Sequence, residues 1–189
     1  MKRLNKKGFT LIELLAVIVI LGVLLAIAIP SVSKYISTSK KSTYVSNAQS
    51  YVEAVRNESM INEYQFPVNA GDAIVITFSR LVNSLDKGGK TSPYGGEFDL
   101  QNSFVAILNA GTAEYPKYEY YIFAVDVDGY GIGKMINDVA TPSTVAYDEL
   151  GSSNIIQLGT QKLTIPTEGS TAIVGIDGLK KVSRVYNGE

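Results

Sequence analysis

The sequence predicts an α+β fold in which a long N-terminal helix packs against an antiparallel β-sheet head. Three features of the 189-residue chain predict it. An apolar run opens the chain, a stretch without Gly or Pro follows from Ser31 to Phe66, and short β-rich segments separated by turn residues make up the rest. A composition of 46% hydrophobic and 19% charged residues supports a folded core, and the length suits one ordinary domain.

The first element is an apolar helix. Leu14 to Ile29 is a run of 16 residues without a polar side chain, and counting from Phe9 extends it to 21 residues, interrupted by Thr10 and Glu13. As a helix, 21 residues span roughly 30 Å, which matches the hydrocarbon core of a bilayer. We therefore expect this segment to cross a membrane.

Three interpretations of this segment are open. A secretory signal peptide would explain the basic residues ahead of the run and the small-x-small sequence at Ala26–Ala28. A plain transmembrane anchor would make Glu13 an incidental charge near the membrane edge. A precursor that is cut and then assembles explains more, because Glu13 stands at the start of the apolar core and the helical pattern continues past Ala28.

The residues Gly8-Phe9-Thr10-Leu11-Ile12-Glu13, after a short basic leader, resemble the processing motif of the type IV pilin (prepilin) family. The resemblance covers residues 1–30 and implies the type IV pilin fold. It implies that a prepilin peptidase cuts after Gly8 and N-methylates the new terminus at Phe9. A glycine at the cut site lets the peptidase approach the backbone closely.

The resemblance also implies assembly roles for Phe9, Glu13, Gly22 and Pro30. Cleavage would leave a positive amine on Phe9, one helical turn before Glu13. In the family, this glutamate is thought to pair with the terminal amine of a neighbouring subunit, and a buried carboxylate without a partner would penalise a wrong register. Because Gly22 and Pro30 both weaken a helix, we expect residues 22–30 to be helical in the monomer and at least partly extended in the filament.

The predicted organisation has four parts. Residues 1–8 form a cleaved basic leader, and residues 9–30 form the transmembrane and filament-core helix. Residues 31–62 form an amphipathic stem continuous with it, and residues 63–189 form a β-rich head packed on the stem. The apolar stripe of the stem starts at Val32, Tyr35 and Ile36 and continues through Val45, Ala48, Val52 and Val55.

The sequence of the head predicts short strands joined mostly by Gly or Asp-Gly. The predicted strands are Ala73–Phe78, Phe104–Leu108, Tyr118–Val125, Tyr130–Ile136, Ile155–Leu158, Lys162–Ile165, Ala172–Ile176 and Val182–Tyr186. The sequence predicts a short helix at Ser79–Leu85. Sequential short strands favour an antiparallel meander packed on the stem.

Three segments of the head are candidate sites. Asp126 and Asp128, followed by a turn glycine, resemble part of a calcium loop but also suit a hairpin turn. The segment Thr91–Phe98 resembles a Pro-aromatic-Gly turn of pilins and pseudopilins, with Ser92 where an Asp often stands. Four tyrosines suggest an adhesive or subunit-contact surface or, alternatively, one exposed edge of the sheet: Tyr115, Tyr118, Tyr120 and Tyr121.

The composition limits the chemistry. The chain has no Cys and no His, so disulfides, thiolate sites and the commonest metal ligand and general base are absent. The net charge is -1, and it falls to about -5 without the four basic residues before Gly8. We therefore expect no enzymatic activity, catalytic residue, metal, cofactor or specific nucleic-acid partner.

The resemblance implies a structural subunit of a type IV pilus that serves adhesion, motility or DNA uptake. Its partners would be the prepilin peptidase, copies of itself and other pilins, an inner-membrane assembly platform, an assembly ATPase, and membrane lipid before assembly. It would be a single-pass membrane protein with a cytoplasmic leader, and later part of an extracellular pilus on the cell surface. A pseudopilin of a type II secretion or competence system is the alternative, and a membrane-tethered enzyme or binding domain is a further one.

Overall fold

The computed structural model describes residues 9–61, 64–85 and 90–188. The predicted leader, including Gly8, lies outside these residues, and so does Asn62 at the predicted end of the stem. The described chain divides into two compact units, with the boundary between Ser39 and Lys40. Helix α1, Leu11–Met60, contains that boundary.

The first unit is helical from Leu11 onwards and exposes its apolar side chains. Every large hydrophobic residue from Phe9 to Ile36 is more than two-fifths exposed. Among the described residues, α1 alone is long and apolar enough to cross a membrane. Because the hydrophobic effect opposes leaving so much apolar surface in water, this segment requires lipid or protein around it.

The second unit begins with the rest of α1, whose buried stripe faces the head. Ala48, Val52 and Val55 are fully buried, as their spacing predicted, and Val45 is half-buried. The predicted start of the stripe was wrong, because Val32, Tyr35 and Ile36 are exposed. Tyr44 and Tyr51 join the stripe and are also fully buried, so it is wider than the aliphatic pattern indicated. Buried aromatic side chains dominate the packing of the stem on the head because each one covers a large apolar area.

A five-stranded sheet forms the centre of the head. Its strands are β1 (Asp72–Thr77), β2 (Phe104–Asn109), β3 (Tyr118–Phe123), β6 (Val145–Ala146) and β8 (Lys181–Tyr186). They lie in the order β6-β3-β2-β1-β8. The neighbours β1, β2, β3 and β6 pair antiparallel, as expected of a meander, but β8 pairs parallel with β1. The short helix α2 follows β1 and spans Phe78–Leu81, less than the predicted Ser79–Leu85.

A second, three-stranded antiparallel sheet contains β4 (Tyr130–Ile136), β5 (Val139–Pro142) and β7 (Ile155–Gln157), in the order β5-β4-β7. Strand β4 has its predicted bounds. Strands β5 and β6 were not predicted. Their sequences are short and carry or flank Pro142, and Pro normally argues against a strand because it lacks a ladder donor.

Two predicted strands were wrong. Lys162–Ile165 and Ala172–Ile176 belong to a segment without regular structure. Their apolar side chains are nevertheless packed on the core, with Ile173 and Ile176 buried and Leu163 and Ile165 half-buried. Residues 163 and 165 follow the spacing of a strand without a backbone ladder, whereas the buried Ile173 and Ile176 are three residues apart.

Candidate functional site

The described N-terminus of α1 is closed by a capping box. The Glu13 carboxylate accepts hydrogen bonds through Oε2 from the Thr10 backbone N–H and from Thr10 Oγ1, each at 2.8 Å. In return, the Glu13 N–H donates to Thr10 Oγ1 at 3.3 Å. This reciprocal Thr-x-x-Glu arrangement satisfies helix N–H groups that would otherwise have no partner. Thr10 was not among the predicted site residues, although the Thr-x-x-Glu spacing is a known signature of a helix start.

The capping box fixes where Glu13 presents its charge. Both bonds to Thr10 use Oε2, so the carboxylate is tied to the first turn of the helix. Phe9 precedes the box and is 81% exposed. The first turn also favours an anion through the helix dipole. A terminal amine arriving from another molecule would therefore meet an oriented carboxylate on an accessible helix end.

Gly22 and Pro30 lie inside α1, which continues through both. A Cβ placed on Gly22 would have nothing within 4 Å, so no contact inside this chain requires glycine there. Pro30 has no N–H to donate to the carbonyl four residues earlier. Immediately after it, Ser31 Oγ donates to the Ile27 carbonyl oxygen at 3.3 Å, which puts a side-chain donor in the turn that proline weakens. The helical half of the expectation for residues 22–30 agrees with this backbone.

Arg56 connects the stem helix to the tyrosine-rich edge of the sheet. Its guanidinium carbon lies 4.6 Å from the centre of the Tyr120 ring and 4.4 Å from that of Tyr147. Its NH1 lies 2.8 Å from Glu53 Oε1, which also accepts a hydrogen bond from the Tyr147 hydroxyl at 2.6 Å. That hydrogen bond is the main reason why the pKa of Tyr147 is raised.

The predicted tyrosine surface is mostly an edge of the core. Tyr115 is 77% exposed, whereas Tyr118, Tyr120 and Tyr121 are half-buried and pack on the core. Burial raises the pKa of Tyr121 to about 12. These three side chains therefore contribute to packing, and their remaining exposed area forms only part of the surface.

Asp126 belongs to a tight turn. It is 3% exposed, and its carboxylate accepts hydrogen bonds from Ser92 Oγ at 2.5 Å and from the Tyr130 N–H at 2.8 Å. Gly129 closes the turn with φ of +82°, a conformation that suits glycine. Asp128 is exposed. These contacts favour the hairpin turn, and no group of three or more acidic, His or Cys side chains in the described ranges could hold a metal ion.

Ser92 has a corresponding structural role. It is buried, and besides its bond to Asp126 its Oγ accepts the Tyr94 N–H at 3.2 Å. Its own N–H donates to the Gly96 carbonyl oxygen at 2.8 Å. The segment Thr91–Phe98 is thus a rigid turn locked against the Asp126 turn.

An exposed apolar helix followed by an α+β head defines a protein of type IV pilin-like architecture. The family model described as the prokaryotic N-terminal methylation motif matches residues 3–29. A fimbrial protein of Neisseria meningitidis serogroup B is 38% identical over 76 residues, which cover 40% of this chain and 44% of that protein. A fimbrial protein of Neisseria meningitidis serogroup A is 32% identical over 107 residues, 57% of each chain.

The motif, the two relatives and the architecture together support a type IV pilin, the family that residues 8–13 resemble. The chain spans about half the length of these two curated relatives. No solved structure matches the chain significantly. Proteins of this family are structural fimbrial subunits, which are normally not enzymes.

Proposed function

We propose that this chain is the structural subunit of a type IV pilus and polymerises through its N-terminal helix into a surface filament for adhesion, motility or DNA uptake. The observation that carries the proposal is an apolar helix whose side chains are exposed and whose start is capped by a carboxylate. Burying a Leu, Ile or Val side chain stabilises by about 1.5–3 kcal/mol. Packing such helices against each other therefore gives assembly a large driving force.

In this proposal, a prepilin peptidase cuts after Gly8 and methylates Phe9. The amine created on Phe9 pairs with Glu13 of a neighbouring subunit as the helix leaves the membrane. The Thr10 hydrogen bonds support this step, because they orient the carboxylate before the amine arrives. An amine–carboxylate pair is strong only where geometry is good and water is excluded, so it selects the correct register.

The type IV pilin family implies the membrane topology and the assembly partners. The leader stays on the cytoplasmic side and the chain is a single-pass membrane protein until assembly. An inner-membrane platform and an ATPase then extrude it with copies of itself and other pilins. Residues 9–30 become the filament core, residues 31–62 the stem and residues 63–189 the outer head.

The decisive test of processing is the intact mass of the protein taken from sheared filaments. The expected mass corresponds to a chain that begins at Phe9 and carries one extra methyl group. A filament protein that retains residues 1–8, or that begins after Ala28, contradicts the proposal. Recovery of long surface filaments made of this chain favours the pilus, whereas secretion or DNA uptake without such filaments indicates the pseudopilin alternative.

The role of the Glu13 charge is tested with two substitutions. Glu13→Gln keeps an oxygen that accepts the Thr10 hydrogen bonds, whereas Glu13→Ala removes them. Both variants are expected to enter the membrane normally and to form no filaments, because both lack the charge that pairs with the amine. Wild-type filament yield from Glu13→Gln would show that the charge is not required and that capping alone supports assembly.

The hypothesis for residues 22–30 is tested by a density map of the filament. We expect the helix to open between Gly22 and Pro30, where glycine and proline leave it weakest. An unbroken helix through Ala26 in the filament would refute this part, while leaving processing and polymerisation intact.

A further inference from the structure

The β4–β5 hairpin carries an apolar tip that points away from the core. Every residue from 134 to 139 is exposed. Ile136 is paired with Val139 across the hairpin, so these two side chains share one face, while Met135 lies on the other. All three are more than half exposed. We call Met135, Ile136 and Val139 the ribbon tip.

The hairpin that carries the ribbon tip has a tight turn and a closely packed base. A two-residue turn at Asn137–Asp138, with φ of 49° and 61°, joins the strands in the geometry that suits a twisted hairpin. At the base, a Cβ added to Gly133 would come within 3.0 Å of Ile156 Cδ1, so β4 lies tightly against β7 there. A projecting two-stranded ribbon is only marginally stable by itself. Apolar residues clustered at its tip therefore indicate a binding surface.

An apolar groove lies elsewhere on the same head, where the C-terminal irregular segment covers β2. Three of its lining residues are polar, Thr164, Thr167 and Ser170, and the other seven are apolar: Phe104, Leu163, Ile165, Pro166, Ala172, Ile173 and Val174. Val174 at its rim is 54% exposed, whereas Phe104 and Ile173 are buried at its base. We call the seven apolar residues the docking groove. They offer a surface on which aliphatic side chains can be buried, beside the hydroxyl groups of Thr164, Thr167 and Ser170.

We propose that the ribbon tip of one copy of this chain docks in the docking groove of a neighbouring copy along the filament, a contact that rests on the proposed function. The two surfaces are different parts of one chain, so the contact is heterologous. Such contacts repeat from copy to copy and produce an open helical assembly when the rotation does not close. This is the symmetry that a filament of identical heads requires.

The small size of the contact fits a copy that is held nearby. The two side chains that share one face of the ribbon tip, Ile136 and Val139, cover much less than the roughly 800 Å² per partner of a standard stable interface. The contact is therefore too small to hold two free molecules together. Subunits tethered by their N-terminal helices are at high effective concentration, which makes a small contact sufficient.

The charges around the two surfaces are compatible with this docking. The ribbon carries Lys134 and Asp138 beside its tip, and Lys162 and Glu168 flank the groove along the chain. All four are exposed, although Lys162 Nζ also lies 3.1 Å from Asp99 Oδ2. One orientation of the ribbon brings Lys134 to Glu168 and Asp138 to Lys162, whereas the reverse orientation brings like charges together, so the charges favour one direction of docking.

The absence of Cys from the chain makes a direct test possible. Filaments are assembled from the full chain carrying Val139→Cys and Ala172→Cys, treated with a short bismaleimide, and analysed on a denaturing gel. Both positions are exposed, one at the ribbon tip and one in the wall of the groove, so neither substitution places a cysteine in the core. The double variant is expected to give a ladder of multimers, because every subunit offers one residue of each contact. Either single variant should remain monomeric.

The matched control replaces the groove position with Val68→Cys, an exposed aliphatic site outside the groove, and it should give no ladder. Adding Ile136→Asp to the first pair should abolish the ladder, because a charge would enter the apolar groove. A ladder no stronger than the control overturns the docking proposal while leaving the filament proposal standing. Only dimers from the double variant would indicate a closed two-fold contact and overturn the open arrangement. If the unsubstituted chain forms no filament, the proposed function fails and docking fails with it.

Discussion

Gly175 lies where the C-terminal segment is hydrogen-bonded to Thr144, next to the edge strand β6, and replacing it with Ala should destabilise the head. The residue has φ of +88°, and an added Cβ would come within 2.5 Å of Ser143 Oγ and closer still to the Thr144 carbonyl oxygen. Thr144 holds this place by donating its N–H at 3.0 Å and its hydroxyl at 2.7 Å to the Val174 carbonyl oxygen. Thr144 and the C-terminal segment therefore cannot move apart to make room for the Cβ without losing these hydrogen bonds.

The expected magnitude has two parts. A non-glycine residue in the left-handed region costs roughly 1–2 kcal/mol. Crowding a packed site adds about 1–3 kcal/mol. The sum for Gly175→Ala is about 2–5 kcal/mol. Gly169→Ala is the matched control, because Gly169 also has φ of +88° but nothing lies within 4 Å of its added Cβ, so it should lose only the first part.

The assay is urea unfolding of the full-length chain in a mild detergent, followed by near-UV circular dichroism of its twelve tyrosines. With a slope of about 1–3 kcal/mol per molar urea, the two variants should differ in midpoint by roughly 1 M. Equal midpoints for Gly175→Ala and Gly169→Ala would show that the close approach to Thr144 contributes nothing, and would refute this reasoning.

Three further predictions concern other parts of the chain. Burial raises the pKa of Asp126, so the stability that its protonated form contributes is fully present below the ordinary Asp value of 3.8 and is lost as pH rises through the raised pKa. In Asp126→Asn, the unfolding free energy should therefore fall less between pH ~4 and ~7 than in the unsubstituted chain. An unchanged pH profile would contradict this. Arg56→Lys should lower the unfolding free energy by about 1–2 kcal/mol in the same urea assay, because an ammonium cannot stack between Tyr120 and Tyr147 as a guanidinium does, and an unchanged midpoint would speak against this. Pro30→Ala should stabilise the helix by about 3 kcal/mol. If residues 22–30 open on assembly, this variant should form fewer filaments, as measured by quantitative imaging. A wild-type filament yield would indicate that the segment stays helical.

Several strands could be predicted because their signal is local. Strand β4 has its predicted bounds, β2 is one residue longer than predicted, and β1 begins and ends one residue earlier than predicted. The apolar runs of β1 and β2 are buried in the core, whereas only the first half of β4 is buried. The parallel pairing of β8 with β1 could not be predicted. It joins residues about a hundred positions apart, and no local pattern encodes which sheet edge a final strand will meet.

The candidate site shows the same division. The capping box of Thr10 and Glu13 spans one helical turn, so its spacing is visible in the sequence and could have been recognised there. The stacking of Arg56 involves residues from three distant segments. The segment at 162–176 has apolar residues that suggested strands, but their side chains reach the core without backbone pairing.

Local residue order is enough to predict the apolar N-terminal helix, its methylation-type motif, most of the buried face of the stem and the β-rich character of the head. Each of these features depends on residue order over a few helical turns or strand residues. The regular periods of helices and strands therefore allow it to be predicted from the sequence. Three-dimensional packing sets which strands lie at the edges, leaves the β4–β5 tip exposed, and forms the groove along the C-terminal segment. Those features depend on which distant segments pack together, because a side chain becomes a surface or a core residue only when its neighbours in space are set.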